Sequence, residues 1–188
     1  STKSNWGKSN NSEIVWVGVS NQGVKIIDKL SNSLTRTDFN LNPTVRIDFD
    51  LELYPEQATE DYWGNVYLYS QSYGSIFILE NSDTRLRKHI DLNKLRILPS
   101  CLRSMNTNDD GYLGVLGCEG NFFEFSKNGL QSFSYNSKIK NLEFLVPFDK
   151  DWLLLNKNGL GELIKTGRGI RIPLDCLPIY DMKSKNNS

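Results

Sequence analysis

Histidine is nearly missing: His89 is the single imidazole in 188 residues. Its neighbours in Arg85-Leu-Arg-Lys-His-Ile-Asp91 are mostly cations, so it reads as a surface histidine, and without another imidazole no nucleophilic triad can be assembled. Cysteine is scarce too. Cys101, Cys118 and Cys176 are spaced neither as a zinc ligand set nor as a disulfide framework. Cys101 and Cys118 alternate with apolar residues in successive expected strands and read as buried thiols, a single disulfide being the alternative in an oxidising compartment. There is no excess of charge, with 22 basic against 22 acidic residues, so no global field draws the chain toward nucleic acid. Long hydrophobic runs are absent. The longest, Phe144-Leu-Val-Pro-Phe148, is short and carries a proline, which excludes it as a membrane span. Phosphate-binding glycine spacing is absent as well: Gly159-Leu-Gly161 and Gly167-Arg-Gly169 read as hairpin glycines, and Lys165, Arg168 and Arg171 as ordinary cations near a turn.

Present instead is a weak internal repeat of strand, glycine-centred turn and strand. It recurs at Ile14–Asp28, Asn65–Leu79, Tyr112–Phe125 and Trp152–Ile164, with Gly23, Gly74, Gly120 and Gly159 as anchors. The spacing matches one four-stranded propeller blade of roughly 40–50 residues. In the third copy the alternating runs are 100–106, 112–117, 122–126 and 130–135, with Asn108-Asp-Asp-Gly111 and Lys127-Asn-Gly129 as tight turns of the type with two positive-φ central residues. The same template gives strands at 47–54, 66–69, 75–79 and 86–92 in the second copy, and at 141–147, 152–155, 161–164 and 169–174 in the fourth. The first copy shows 14–19, 24–27 and 34–39, lacking its first strand, and Leu177–Met182 resembles the start of a further blade. The expected fold is all-β, a β-propeller-like array of about four four-stranded blades, either a closed small ring or part of a larger propeller. Residues 13–182 form this domain, flanked by flexible polar tails at 1–12 and 183–188. The N-terminus lacks an apolar signal core and the compartment stays open, an intracellular location being slightly favoured.

Carboxylate pairs suit calcium or glycosidic chemistry, yet Asp109-Asp-Gly111 reads as a turn, and Asp48 and Asp50 as the wet face of a strand. Neither a metal nor a cofactor is expected. Most aromatics alternate with smaller residues as core packing requires, while Tyr62, Trp63 and Tyr73 flank turns, where a ring could stack on a sugar or anchor a peptide. The loops between second and third strands place Gln22, Tyr73, Glu119 and Asn158 at equivalent positions on one face. These six residues are the expected binding set.

Residues 106–129, together with Ile14-Val-Trp-Val-Gly-Val-Ser-Asn-Gln-Gly-Val-Lys-Ile-Ile-Asp28, resemble the repeat of two-component regulator propellers, in which Trp-x-Gly precedes a later glycine; WD-like repeats share the blade geometry. The resemblance implies an extracytoplasmic segment that senses a ligand. The residues themselves favour a non-catalytic protein-interaction scaffold, with a sugar-active propeller third. A protein partner is expected, with self-association or completion of the ring by another chain, and with neither nucleic-acid binding nor membrane insertion.

Overall fold

A computed structural model describes residues 12–95, 97, 101–166 and, as backbone, 170–175. The described residues form four antiparallel meanders of four strands each, and no strand is shared between sheets. The chain divides into two compact units, Ser1–Leu92 and Asn93–Ser188, each holding two of the sheets.

The first unit contains β1 (Ile14–Ser20), β2 (Gly23–Asp28), β3 (Ser33–Thr37) and β4 (Pro43–Asp48) in one sheet. The other is β5 (Gln57–Glu60), β6 (Val66–Ser70), β7 (Ser75–Leu79) and β8 (Arg87–Asp91). A single 3-10 turn, Leu92–Leu95, follows. In the second unit, β9 (Leu102–Thr107), β10 (Leu113–Gly117), β11 (Asn121–Phe125) and β12 (Gln131–Asn136) precede a sheet of β13 (Leu142–Phe148), β14 (Asp151–Asn156), β15 (Leu160–Lys165) and β16 (Ile170–Asp175).

The first copy of the repeat therefore does not lack a strand. Its sheet starts at Ile14 and is completed by Pro43–Asp48, whose Ile47 pairs with Leu34. Of the run expected at 47–54 to open the second blade, only Ile47 and Asp48 lie in a strand, where they end the first sheet, and Gln57–Glu60 takes the opening place. The physical cause is that Asp48 and Asp50 continue the alternation of Ile47, Phe49 and Leu51 past the strand's end, so pattern alone gives no boundary. Leu177–Met182 lies outside the described residues.

One five-residue turn recurs. In Asp61–Asn65 and Asn108–Tyr112 the first residue's N–H donates to the fifth residue's carbonyl at 3.0 Å, and the glycine N–H returns to the first carbonyl. The first side chain's Oδ1 then accepts the fifth residue's N–H at 2.9 Å. Gly64 and Gly111 sit at φ 84° and 75°, the left-handed conformation that glycine enters without penalty. Of the residues in the Asn108 turn, Gly111 alone has positive φ, so this is a type I turn closed by a left-handed glycine and not the two-residue turn expected there. Asp38–Asn42 repeats the arrangement with Leu41, at φ 62°, in the glycine's place.

Each unit has its own core. Ile27, Leu34, Leu53, Val66, Leu68 and Phe77 join the two sheets of the first, with Trp16 packed against them. Leu116, Phe122, Leu142, Leu154 and Trp152 join those of the second. Trp152 is fully buried, and a side chain of this size contributes about 2–3 kcal/mol by leaving water. Its ring lies over Gly114, where an added Cβ would come within 2.7 Å of two ring carbons. Strand Gly114 is thus the space the indole occupies. Glu60 in the first unit forms a buried ion pair with Lys25, whose ammonium also donates to the Gly64 carbonyl at 2.9 Å. The fourth strands include exposed polar and proline residues: Pro43, Arg46 and Asp48 in β4, Arg87 and Lys88 in β8, and Gln131 and Ser132 in β12, while β16 holds Pro173.

Cys101 and Cys118 are joined by a disulfide, Cα atoms 5.2 Å apart. The reading of both as buried thiols does not hold. Antiparallel pairing of β9 with β10 brings the two side chains together, and the Cys118 N–H donates to the Cys101 carbonyl at 2.9 Å. Cys176 lies outside the described residues.

Candidate functional site

The site is built where β11 turns into β12 and β13 into β14. Between the two sheets of the second unit a cleft of about 550 Å³ opens, lined by Asn108, Asp110, Tyr112, Glu124, Ser132, Phe133, Asp149, Lys150, Asp151, Lys165 and Thr166. Strand alternation points Glu124 of β11 inward, toward a position that an apolar residue would ordinarily fill. It is 4 % exposed. A carboxylate is tolerated there because both oxygens have donors: Ser132 Oγ gives a bond of 2.7 Å to Oε1, while Trp152 Nε1 at 2.7 Å and Thr166 Oγ1 at 3.0 Å donate to Oε2. These bonds tie β11, β12, β14 and the end of β15 to one side chain.

Tyr112 and Phe133 pack their half-buried rings against the same core as Trp152. Asn108, buried at 4 %, donates through Nδ2 to the Lys150 carbonyl at 2.9 Å and so fixes the β9–β10 turn against the β13–β14 turn. At the rim Lys150 approaches Asp110 at 3.4 Å with both side chains exposed, an arrangement that contributes little to stability. Among the described residues, no group of three or more His, Cys, Asp or Glu has the geometry to hold a metal ion.

The expected binding residues lie elsewhere. Glu119 and Asn158 are exposed in the β10–β11 and β14–β15 turns, at the ends of their sheets opposite the cleft. Tyr73 is 38 % exposed in the β6–β7 turn, its ring edge-on to Phe77 at 5.5 Å. Gln22 is exposed, yet its turn joins β1 to β2 and not a second to a third strand, so the equivalence with Tyr73 fails. Lys25, next along β2, reaches the Gly64 carbonyl in the β5–β6 turn. At the other end of the same sheets Lys29 pairs with Glu56 at 3.6 Å, and Glu56 accepts the Gln71 N–H at 2.8 Å. Gln22 therefore shares an end of the first unit with Tyr62 and Trp63, not with Tyr73. Tyr62 is 87 % and Trp63 45 % exposed, and their rings meet edge to face at 5.7 Å.

His89 is not the surface residue expected. Its ring packs 5.3 Å from Tyr67, and both nitrogens are buried without a hydrogen-bond partner. Burial, aided by the Arg87 charge, pushes its pKa down to about 4. Tyr67 is pushed the other way by burial and by Asp61, to which its hydroxyl donates at 3.2 Å. Lys165 lines the cleft, whereas the side chains of Arg168 and Arg171 lie outside the described residues.

The cleft escaped sequence reasoning because Glu124, in Phe122-Phe-Glu-Phe125, has the pattern of an outward polar residue in a strand. Its register supplied the missing signal: Glu124 is paired with Gly114, so it shares the face over which the Trp152 ring lies.

No family model and no curated protein matches the chain. Solved structures do match in fold. Virginiamycin B lyase from Staphylococcus aureus, in its inactive H270A form with quinupristin, superposes with a TM-score of 0.68 at 14% identity, over 90% of this chain and 57% of that one. YCF48 bound to D1 peptide gives 0.67 at 13% identity, covering 88% and 54%. BBS1N in complex with ARL6DN gives 0.68 at 12% identity, covering 94% and 56%. The chain spans a little over half the length of these structures. All three are β-propeller proteins, and at such identities the likeness establishes the fold alone: an all-β, β-propeller-like array of four-stranded blades.

Proposed function

We propose that the chain is a non-catalytic protein-interaction module built on propeller blades, binding through the end of its second unit where the cleft opens. The state of Glu124 carries this reading. Both carboxylate oxygens are engaged by Ser132, Trp152 and Thr166, so the buried acid anchors the cleft's walls instead of standing free as a general acid or base. Around it Asp149 and Lys150 form the turn between β13 and β14 and Asp151 opens β14, a placement suited to recognition on a fixed scaffold. Support of a general kind comes from fold neighbours seen with polypeptide partners, YCF48 with D1 peptide and nidogen with laminin.

The test is capture of protein partners by the immobilised chain, compared with an Asp110→Ala, Asp151→Ala double variant of unchanged melting temperature. Loss of at least about four-fifths of a captured protein in the variant is expected. Capture that the variant leaves intact, or turnover of a small molecule with no retained protein, overturns the reading.

The Cys101–Cys118 disulfide favours a second reading, a ligand-sensing extracytoplasmic segment of a signalling protein, because disulfides persist mainly in oxidising compartments. Thermal stabilisation by a small molecule, without any captured protein, separates the two.

A further inference from the structure

We propose that the cleft receives one basic side chain, an arginine or lysine, from an extended segment of a partner protein; this rests on the interaction reading above and adds the chemistry of the occupant. The argument begins with charge. Glu124 is buried and satisfied by three uncharged donors, which solvate its carboxylate without neutralising it, and no described lysine or arginine stands within ion-pair distance of it. A buried carboxylate without a counter-ion raises the energy of the empty site, and an arriving cation recovers that energy. The lining continues the sign: Asp110, Asp149 and Asp151 add three carboxylates, against Lys150 and Lys165. Lys150 is already turned toward Asp110. A carboxylate or phosphate ligand would meet four acids against two lysines.

Shape and wall chemistry agree with the charge. About 550 Å³ falls within the usual range of roughly 300–1,000 Å³ for sites that enclose a side-chain-sized ligand. Two aromatic rings, Tyr112 and Phe133, line the space beside the carboxylate. Aromatic faces and carboxylates together suit a guanidinium, which stacks on the one, forms forked hydrogen bonds to a rim carboxylate such as Asp151, and brings its charge toward Glu124. A neutral saccharide would use the rings but leave the Glu124 charge uncompensated.

Trp152 supplies a reporter, because its indole N–H is bonded to Glu124. The experiment follows the Trp152 indole N–H resonance of isotope-labelled protein during titration with two capped pentapeptides that differ only in a central arginine or citrulline. We expect a saturating shift with the arginine peptide and binding at least about tenfold weaker with citrulline. Glu124→Gln should weaken the arginine peptide about tenfold, and Asp151→Asn, at the rim, about threefold. Equal binding of both peptides, undiminished binding in both variants, a shift produced instead by an acidic peptide or a saccharide, or an unmoved resonance at millimolar arginine peptide each overturns the proposal. The interaction reading is decided apart from these results, by partner capture in the Asp110→Ala, Asp151→Ala variant.

Discussion

Replacing Leu41 by glycine should stabilise the protein even though it removes an apolar side chain. Leu41 has φ 62° in a turn whose counterparts hold Gly64 and Gly111 at φ 84° and 75°. Left-handed backbone costs a residue with a Cβ about 1–2 kcal/mol. Glycine removes that strain but adds about 0.5–1 kcal/mol of backbone entropy to the unfolded chain. Half of the Leu41 side chain is in water, so little burial is lost, and the hydrogen bonds that close the turn involve backbone and Asp38, which L41G leaves in place. The balance is a gain of about 0.5–1 kcal/mol. Urea unfolding should show a higher midpoint with an unchanged slope for Leu41→Gly, no gain for Leu41→Ala, which keeps the Cβ, and a smaller gain for Leu41→Asn. A Leu41→Gly midpoint at or below wild type refutes the reasoning and assigns the leucine side chain a packing role larger than its strain.

Further outcomes follow from other contacts. Gly114→Ala should displace the Trp152 ring, with a loss of about 1–3 kcal/mol and a red-shifted tryptophan emission, and a Trp152→Phe background should reduce that loss. Replacing both Cys101 and Cys118 by serine should lower unfolding stability by about 3 kcal/mol, because the bond closes a loop of 17 residues; reduction of the wild type should give the same shift in midpoint. His89 has a folded pKa of about 4 against 6.5 unfolded, so as pH falls the unfolded chain takes up the proton first, and stability declines between those values. Partial exposure reduces the expected loss to about 1–2 kcal/mol, and His89→Gln should flatten the slope over this window.

The strands were legible where two signals coincided, alternation and a turn glycine. In the second unit the runs at 112–117 and 161–164 fall on β10 and β15 to within a residue or so at each end. Where one signal failed, the register failed with it. The first copy carries its glycine one hairpin earlier, which misplaced both β4 and the face of Gln22. The candidate site was less legible, since a cleft arises from pairing between distant segments. Nothing local to Glu124 says that Trp152 and Thr166 will donate to it, whereas the placing of Cys101 and Cys118 in successive strands leaves their disulfide as the alternative that the structure shows.

The fourth strands of these sheets have a consequence for how they can meet other molecules. Proline at Pro43 and Pro173 removes backbone donors from β4 and β16, and the charged side chains of β4 and β8 make desolvating those margins expensive. A foreign strand that tried to extend β4, β8 or β16 would find missing donors or a row of charges. Strand addition, the usual route by which β-rich proteins polymerise, is thereby disfavoured at these margins.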